Sequence, residues 1–167
     1  MPLRPAAPRH QAFAALVAFV LMLPATAGAD SPVVTEVAGA TFHDINTALV
    51  DAIADEGIGA PSVSHFGSML ARTAADLGHR PDFYADAQIH TFCSAAIAAR
   101  LAAESAHNIA LCPLSIAVYR VLEKPHTIYL SYRRSAPSPG GEAANALLQR
   151  IVQRAAEQFG TPSPRPR

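Results

Sequence analysis

Hydrophobic and polar positions change period several times along the chain, and each change marks an element. Pro32 to Ala38 (PVVTEVA) alternates, the period-two pattern of a first strand. From Thr41 the period becomes helical. Ile45, Ala48, Leu49, Ala52 and Ile53 fall on one face, Thr41 and Asp44 form a T-x-x-D capping box, and Gly57 supplies a left-handed stop. A second strand is expected over Ile58 to Ser64, irregular at its start because of Gly59 and Pro61. A second helix is expected from His65 or Phe66 to Leu77, with Met69, Leu70, Thr73, Ala74 and Leu77 on a common face and Gly78 as its terminator.

The stretch Ala87 to Arg134 organises the rest. Ala87 to Phe92 reads as a strand with Ile89 and Thr91 on one face and His90 and Phe92 on the other. Ser94 to Glu104 reads as a helix, and Cys93, Ile97 and Leu101, four residues apart, are expected to face the sheet together, which would bury Cys93. Leu114 to Leu122 and Thr127 to Arg133 alternate and are rich in β-branched and aromatic residues, so they read as two strands joined by the turn Glu123 to His126. In the first of these Ile116, Val118, Arg120 and Leu122 oppose Ala117, Tyr119 and Val121; in the second Ile128, Leu130 and Tyr132 oppose Tyr129 and Ser131. Residues 135–141 (SAPSPGG) read as a linker, residues 142–159 as an amphipathic helix with Ala144, Leu148, Ile151, Val152, Ala155 and Phe159 on one stripe, and residues 160–167 as a tail. That last helix must dock, either on an open face of the same sheet or on a partner chain.

Composition changes the picture mainly at the N-terminus. Arg4, Arg9 and His10 precede an uninterrupted apolar run of 12 residues, Ala12 to Leu23, and small-x-small sequences follow at Ala25 to Ala29. Residues 1–29 are therefore expected to be a signal peptide, because the run falls short of the roughly 20 apolar residues of a stable span. Cleavage after Ala27 or Ala29 and retention as an anchor are the alternatives. The expected location is periplasmic or secreted, with no stable membrane span after cleavage. The 167 residues carry 13 basic and 13 acidic side chains, and removal of residues 1–29 leaves 11 against 13. A near-neutral chain has no field to attract nucleic acid, and its length supports one core.

Order and local sequence together carry a resemblance. The first strand, the capped helix ending at Gly57, the second strand and helix, FCSA at the start of a helix, and CPLSIAVY followed by a strand ending in YLSYR resemble the bacterial domain of unknown function 302 family over roughly residues 33–134. The resemblance implies an α+β fold for residues 30–134, a two-layer sandwich of a mixed β-sheet with helices packed on it. The C-terminal amphipathic helix is an addition that the resemblance does not position. The phrases FCSA and ALCP suggest an exported subgroup carrying a cysteine pair. No reaction is implied.

Candidate chemistry is sparse. The sequence has no GxSxG, phosphate-binding glycine loop, HExxH, EF-hand loop or dinucleotide fingerprint, so no catalytic residue is assigned and no cofactor is implied. Cys93 and Cys112 would close a loop of about 20 residues. As a disulfide in an oxidising compartment they would contribute about 3 kcal/mol; as buried thiols they are small apolar fillers. His90, Cys93, His107 and Cys112 have the ligand chemistry of a zinc or copper site if they converge. Tyr119, Arg120, Tyr129 and Arg133 are the candidate ligand-binding residues, since tyrosine and arginine on a concave sheet face suit a small anionic or aromatic molecule, although the same residues also serve as rim packing. The leading expectation is a non-catalytic binding or protein-interaction module, able to form a homo-oligomer, whose partner is a small ligand or a protein. A cysteine-based redox or metal-binding protein is the alternative.

Overall fold

The computed structural model describes residues 31–160 and the backbone of residues 163–164. The expected signal segment, residues 1–29, lies outside them. Six strands form one sheet: β1 (Val33–Ala38), β2 (Ser62–Ser64), β3 (Tyr84–Phe92), β4 (Leu114–Val121), β5 (Thr127–Tyr132) and β6 (Ser163–Pro164), in the order β2-β3-β4-β5-β1-β6. Four helices accompany them: α1 (Phe42–Asp55), α2 (Phe66–Thr73), α3 (Ala95–Glu104) and α4 (Pro139–Glu157). Short 3-10 turns occupy Ala75–Leu77 and Ala106–Leu111. The protein is an α+β two-layer sandwich. Every strand pair is antiparallel, so the sheet is not mixed as expected. The β1–β5 partnership, which joins the two strands farthest apart in the sequence order of the expected domain, leaves no local trace in the chain.

Helices α1, α3 and α4 cover one face, while α2 lies against Ala87 and Tyr84 at the β3 edge of the other. Ile45, Leu49 and Ile53 of α1 and Leu148, Ile151 and Val152 of α4 pack with Val37, Ile116, Val118, Ile128 and Leu130 of the sheet in one core cluster, joined by Ile97 and Leu101 of α3. The start of α1 is held by the expected capping box. The Thr41 hydroxyl accepts from Asp44 N, the Asp44 carboxylate accepts from Thr41 N, and the Thr41 hydrogen bond holds the Asp44 carboxyl below its usual range. Gly57, at φ 72°, ends the element as the sequence pattern requires.

The C-terminal helix completes the core. Ala144, Leu148, Ile151, Val152 and Ala155 are all buried against α1, α3 and the sheet, and Arg150 grips Glu56 through two hydrogen bonds of 3.2 and 2.9 Å. The end of the stretch expected as a linker, Pro139 to Gly141, already belongs to this helix. Ser138 is its N-cap, accepting from Gly141 N at 3.0 Å, and Pro139 stands in the first turn, where its missing N–H costs nothing. Within the expected tail, Ser163 and Pro164 pair with Glu36 and Thr35 of β1.

Two other expectations are corrected. Cys93 is exposed, because it precedes the N-cap Ser94 and so lies outside the helical register of Ile97 and Leu101. Helix α2 ends at Thr73, and of its expected apolar stripe only Ala74, just past the helix, is buried; Met69 and Leu77 are exposed. This helix covers the part of β3 that β2, paired only with Ile89 to Thr91, leaves free.

Candidate functional site

The second face of the sheet carries the most organised cluster of side chains outside the core. Alternation along β3, β4, β5 and β1 places Ala87, Tyr119, Tyr129 and Glu36 in one row across the sheet, since Ala87 is opposite Tyr119, Tyr119 opposite Tyr129, and Tyr129 opposite Glu36. The next row is Ile89, Ala117, Ser131 and Val34. Tyr119 and Tyr129 stack, with ring centroids 5.1 Å apart and planes 13° from parallel. Tyr84 meets Tyr119 edge-on at 5.7 Å and Phe66 meets Tyr84 at 6.1 Å, so an aromatic chain runs from α2 to the middle of the sheet. Burial, reinforced by Tyr84, Tyr129 and Glu36, pushes the Tyr119 hydroxyl up, against the opposing effect of its hydrogen bond with Ser131. It remains a neutral phenol at physiological pH. Tyr119 and the surrounding Val34, Glu36, Ile89, Thr91, Ala117 and Ser131 are half-exposed, whereas Tyr129 and Ala87 are buried.

The four candidate ligand-binding residues divide among three places. Tyr119, half-exposed, and Tyr129, buried, are the stacked pair of the second face. Arg120, next to Tyr119 on a strand, points to the opposite side, where it pairs with Asp86 and donates from Nη1 to the Pro125 carbonyl at 3.3 Å. Arg133 is past the end of β5 and exposed, about four residues, or roughly 13 Å of extended chain, from Tyr129. Strand alternation and strand length keep the four from one site.

The metal-ligand set does not gather. His90, 2% exposed, points into the core, with Nε2 2.6 Å from Asn46 Oδ1. Asn46 Nδ2 donates to Phe42 O at 2.7 Å, which turns Oδ1 toward the ring, so Nε2 carries the proton and donates. Nδ1 is buried without a partner, and burial pushes the His90 pKa down. His107 is exposed on the 3-10 turn, Cys93 is exposed and Cys112 half-buried. Among the described residues no group of three or more histidine, cysteine, aspartate or glutamate side chains is placed to hold a metal ion.

The cysteines themselves are neighbours. Phe92 pairs with Leu114, so Cys93 continues β3 and Cys112 precedes β4 at the same end of the sheet. Both are free thiols. Burial, with a smaller effect from Cys93, pushes the Cys112 thiol up.

The sequence reading grouped Tyr84 with Tyr119 and Tyr129 but missed Glu36, Ser131 and Phe66 as members of the tyrosine cluster and Asn46 as the partner of His90. Ser131 was within reach of alternation, because it shares a face with Tyr129. The others needed the β1–β5 register and the placement of α2, which only the tertiary structure supplies.

Fold and site together define a two-layer α+β protein with one sheet face packed on α1, α3 and α4 and a second face bearing stacked tyrosines. A solved structure of similar architecture is that of an uncharacterized conserved DUF302 protein from Bacillus stearothermophilus, with a TM-score of 0.57 and 16% identity over 77% of this chain and 97% of that one. At that identity the likeness is one of fold, and it agrees with the fold that the sequence resemblance implied. No protein-family model matches the sequence, and the search of curated proteins returns no match. No helix among the described residues is long and apolar enough to cross a membrane.

Proposed function

We propose that this protein is an exported, non-catalytic interaction module that uses the tyrosine-bearing sheet face to pair with a second copy of itself. The observation that carries this reading is the tyrosine-bearing face. Small-molecule sites are concave, whereas this surface is a broad antiparallel sheet with small and β-branched side chains around a tyrosine stack, the composition of a protein interface. Sheets pack face to face at about 10 Å using such alternating residues. With residues 1–29 removed the formal charge is −2, 11 basic against 13 acidic side chains, so net repulsion between copies is small. Export rests on the pattern of residues 1–29.

Sedimentation velocity over a concentration series tests the pairing. The protein is expected to shift from monomer to dimer with concentration, and Ala117→Arg, which sets a charge in the middle of the face, is expected to hold it as a monomer. A protein that stays monomeric throughout, or a variant that dimerises like the parent, would remove the reading.

A second reading is favoured by the placement of Cys93 and Cys112 at one end of the β3–β4 pair. In an oxidising compartment the two thiols are proposed to close a disulfide, each losing one proton and one electron to an oxidant of the disulfide class, which is reduced to two thiols. Intact mass with alkylation before and after reduction checks it. Two labels appearing only after reduction support the bridge, and two labels before reduction in protein taken from that compartment contradict it.

A further inference from the structure

We infer that the cleft between the start of β4, the end of β5 and α4 is a binding site for a small monocarboxylate with an apolar body. The site is separate from the tyrosine face, and its argument does not depend on self-association. The cleft exists because two strands part company. Leu114, Ser115 and Ile116 stay paired with Phe92, Thr91 and His90 of β3, while the β4–β5 ladder extends only from Tyr119↔Tyr129 to Ala117↔Ser131. Past Ser131 β5 keeps only its pairing with β1, Tyr132 opposite Val33, the chain then leaves the sheet toward α4, and a cavity of about 250 Å³ opens in the fork.

Its lining pairs charge with apolar wall. Arg133 and Arg134 both line it, and among the described residues no acidic side chain does. Leu111, Pro113, Leu114 and Leu148 supply the apolar surface. Both arginines of α4 are engaged, Arg150 with Glu56 and Arg154 with Asp55, whereas neither Arg133 nor Arg134 has an acidic partner among the described residues. A guanidinium presents a planar fork that matches a carboxylate in two hydrogen bonds, and apolar walls favour a ligand whose single charge is carried at one end.

The wall that carries the arginines is held in place before any ligand arrives. Asn145 of α4 clamps Ser135 from both sides, its Oδ1 accepting from Ser135 N at 2.8 Å and its Nδ2 donating to Ser135 O at 3.1 Å. Ala136 lies so close to the helix that a Cβ on Gly141 would stand 2.1 Å from the Ala136 carbonyl oxygen. Only a residue without a side chain allows that approach, so the segment after Arg134 is fixed against α4. A fixed wall lowers the ordering cost of binding.

Titration of the labelled full-length protein with hexanoate, followed by amide and arginine side-chain NMR signals, tests the site. Hexanoate is expected to shift Arg133, Arg134, Leu114 and Ser135 and to leave Ala117 and Tyr119 unmoved. Hexanol, which lacks the charge, and acetate or inorganic phosphate, which lack the apolar body, are expected to bind at least about tenfold more weakly. The exposed pair Arg133→Gln/Arg134→Gln should keep the parent spectrum elsewhere and lose about tenfold or more in hexanoate affinity. Hexanol or phosphate binding as tightly as hexanoate, shifts scattered over the surface, or unchanged affinity in the double variant would each overturn the assignment.

Discussion

At the scale of single residues, His90 is the most consequential polar group in the core. It is buried, donates one hydrogen bond to Asn46 and has a bare Nδ1. Burial lowers its pKa in the fold, while in the unfolded chain it titrates near 6.5, so the unfolded state takes up the proton first as the pH falls. Its contribution to stability is therefore complete above about pH 6.5 and declines as the pH drops toward the lowered native value. Urea unfolding at pH 7.5 and pH 5 should show this loss in the parent and a smaller one in His90→Gln; an equally steep loss in the variant would contradict it. Asn46→Ala leaves the imidazole N–H without its acceptor and is expected to cost about 1–3 kcal/mol, read as a lower denaturation midpoint with unchanged slope. The bare Nδ1 has no complement in the described structure, and a histidine in an alternating strand gives no sign from sequence of which partner lies above it.

At the scale of elements, local signals and tertiary ones separate clearly. Helix α1 was legible because its cap, apolar stripe and glycine stop all lie within the segment itself. Thr41→Ala, which removes the reciprocal cap, should lower stability by about 1 kcal/mol, measurable as a fall in Tm. Strands β4 and β5 and their inward faces were legible for the same reason: alternation is a property of neighbouring residues. Elsewhere the deciding contact is remote. Helix α2 has an apolar stripe but sits over an edge of β3, so Met69 and Leu77 remain exposed. Cys93 matched the spacing of Ile97 and Leu101, yet Ser94 caps the helix after it, and one residue outside a helix no longer shares its face. The SPGG sequence reads as a flexible linker until Ala136 is seen against Gly141. Gly141→Ala should accordingly cost about 1–3 kcal/mol despite the intrinsic helical advantage of alanine, because the helix and the Ala136 carbonyl must move apart. Equal or raised stability in that variant would show that the segment yields easily.

At the scale of the whole molecule, the C-terminal helix belongs to the fold. Its apolar stripe fills the layer between α1 and α3, and its arginines tie to the end of α1. Leu148→Ala, deep in that layer, is expected to destabilise by about 2–5 kcal/mol, checked by chemical denaturation. With α4 in place one sheet face is closed, and the half-exposed residues of the tyrosine face form the surface through which the molecule is proposed to meet a second copy. A rival exposed surface exists at Val63, Met69 and Leu77, on β2, α2 and the following turn. The measurement that separates the two is an isotope-filtered NMR experiment on a mixture of labelled and unlabelled protein, which records only contacts between copies. The account predicts intermolecular contacts from Val34, Ala117 and Tyr119. Contacts confined to Val63, Met69 and Leu77, or none at concentrations where the protein is fully loaded into the sample, would contradict it.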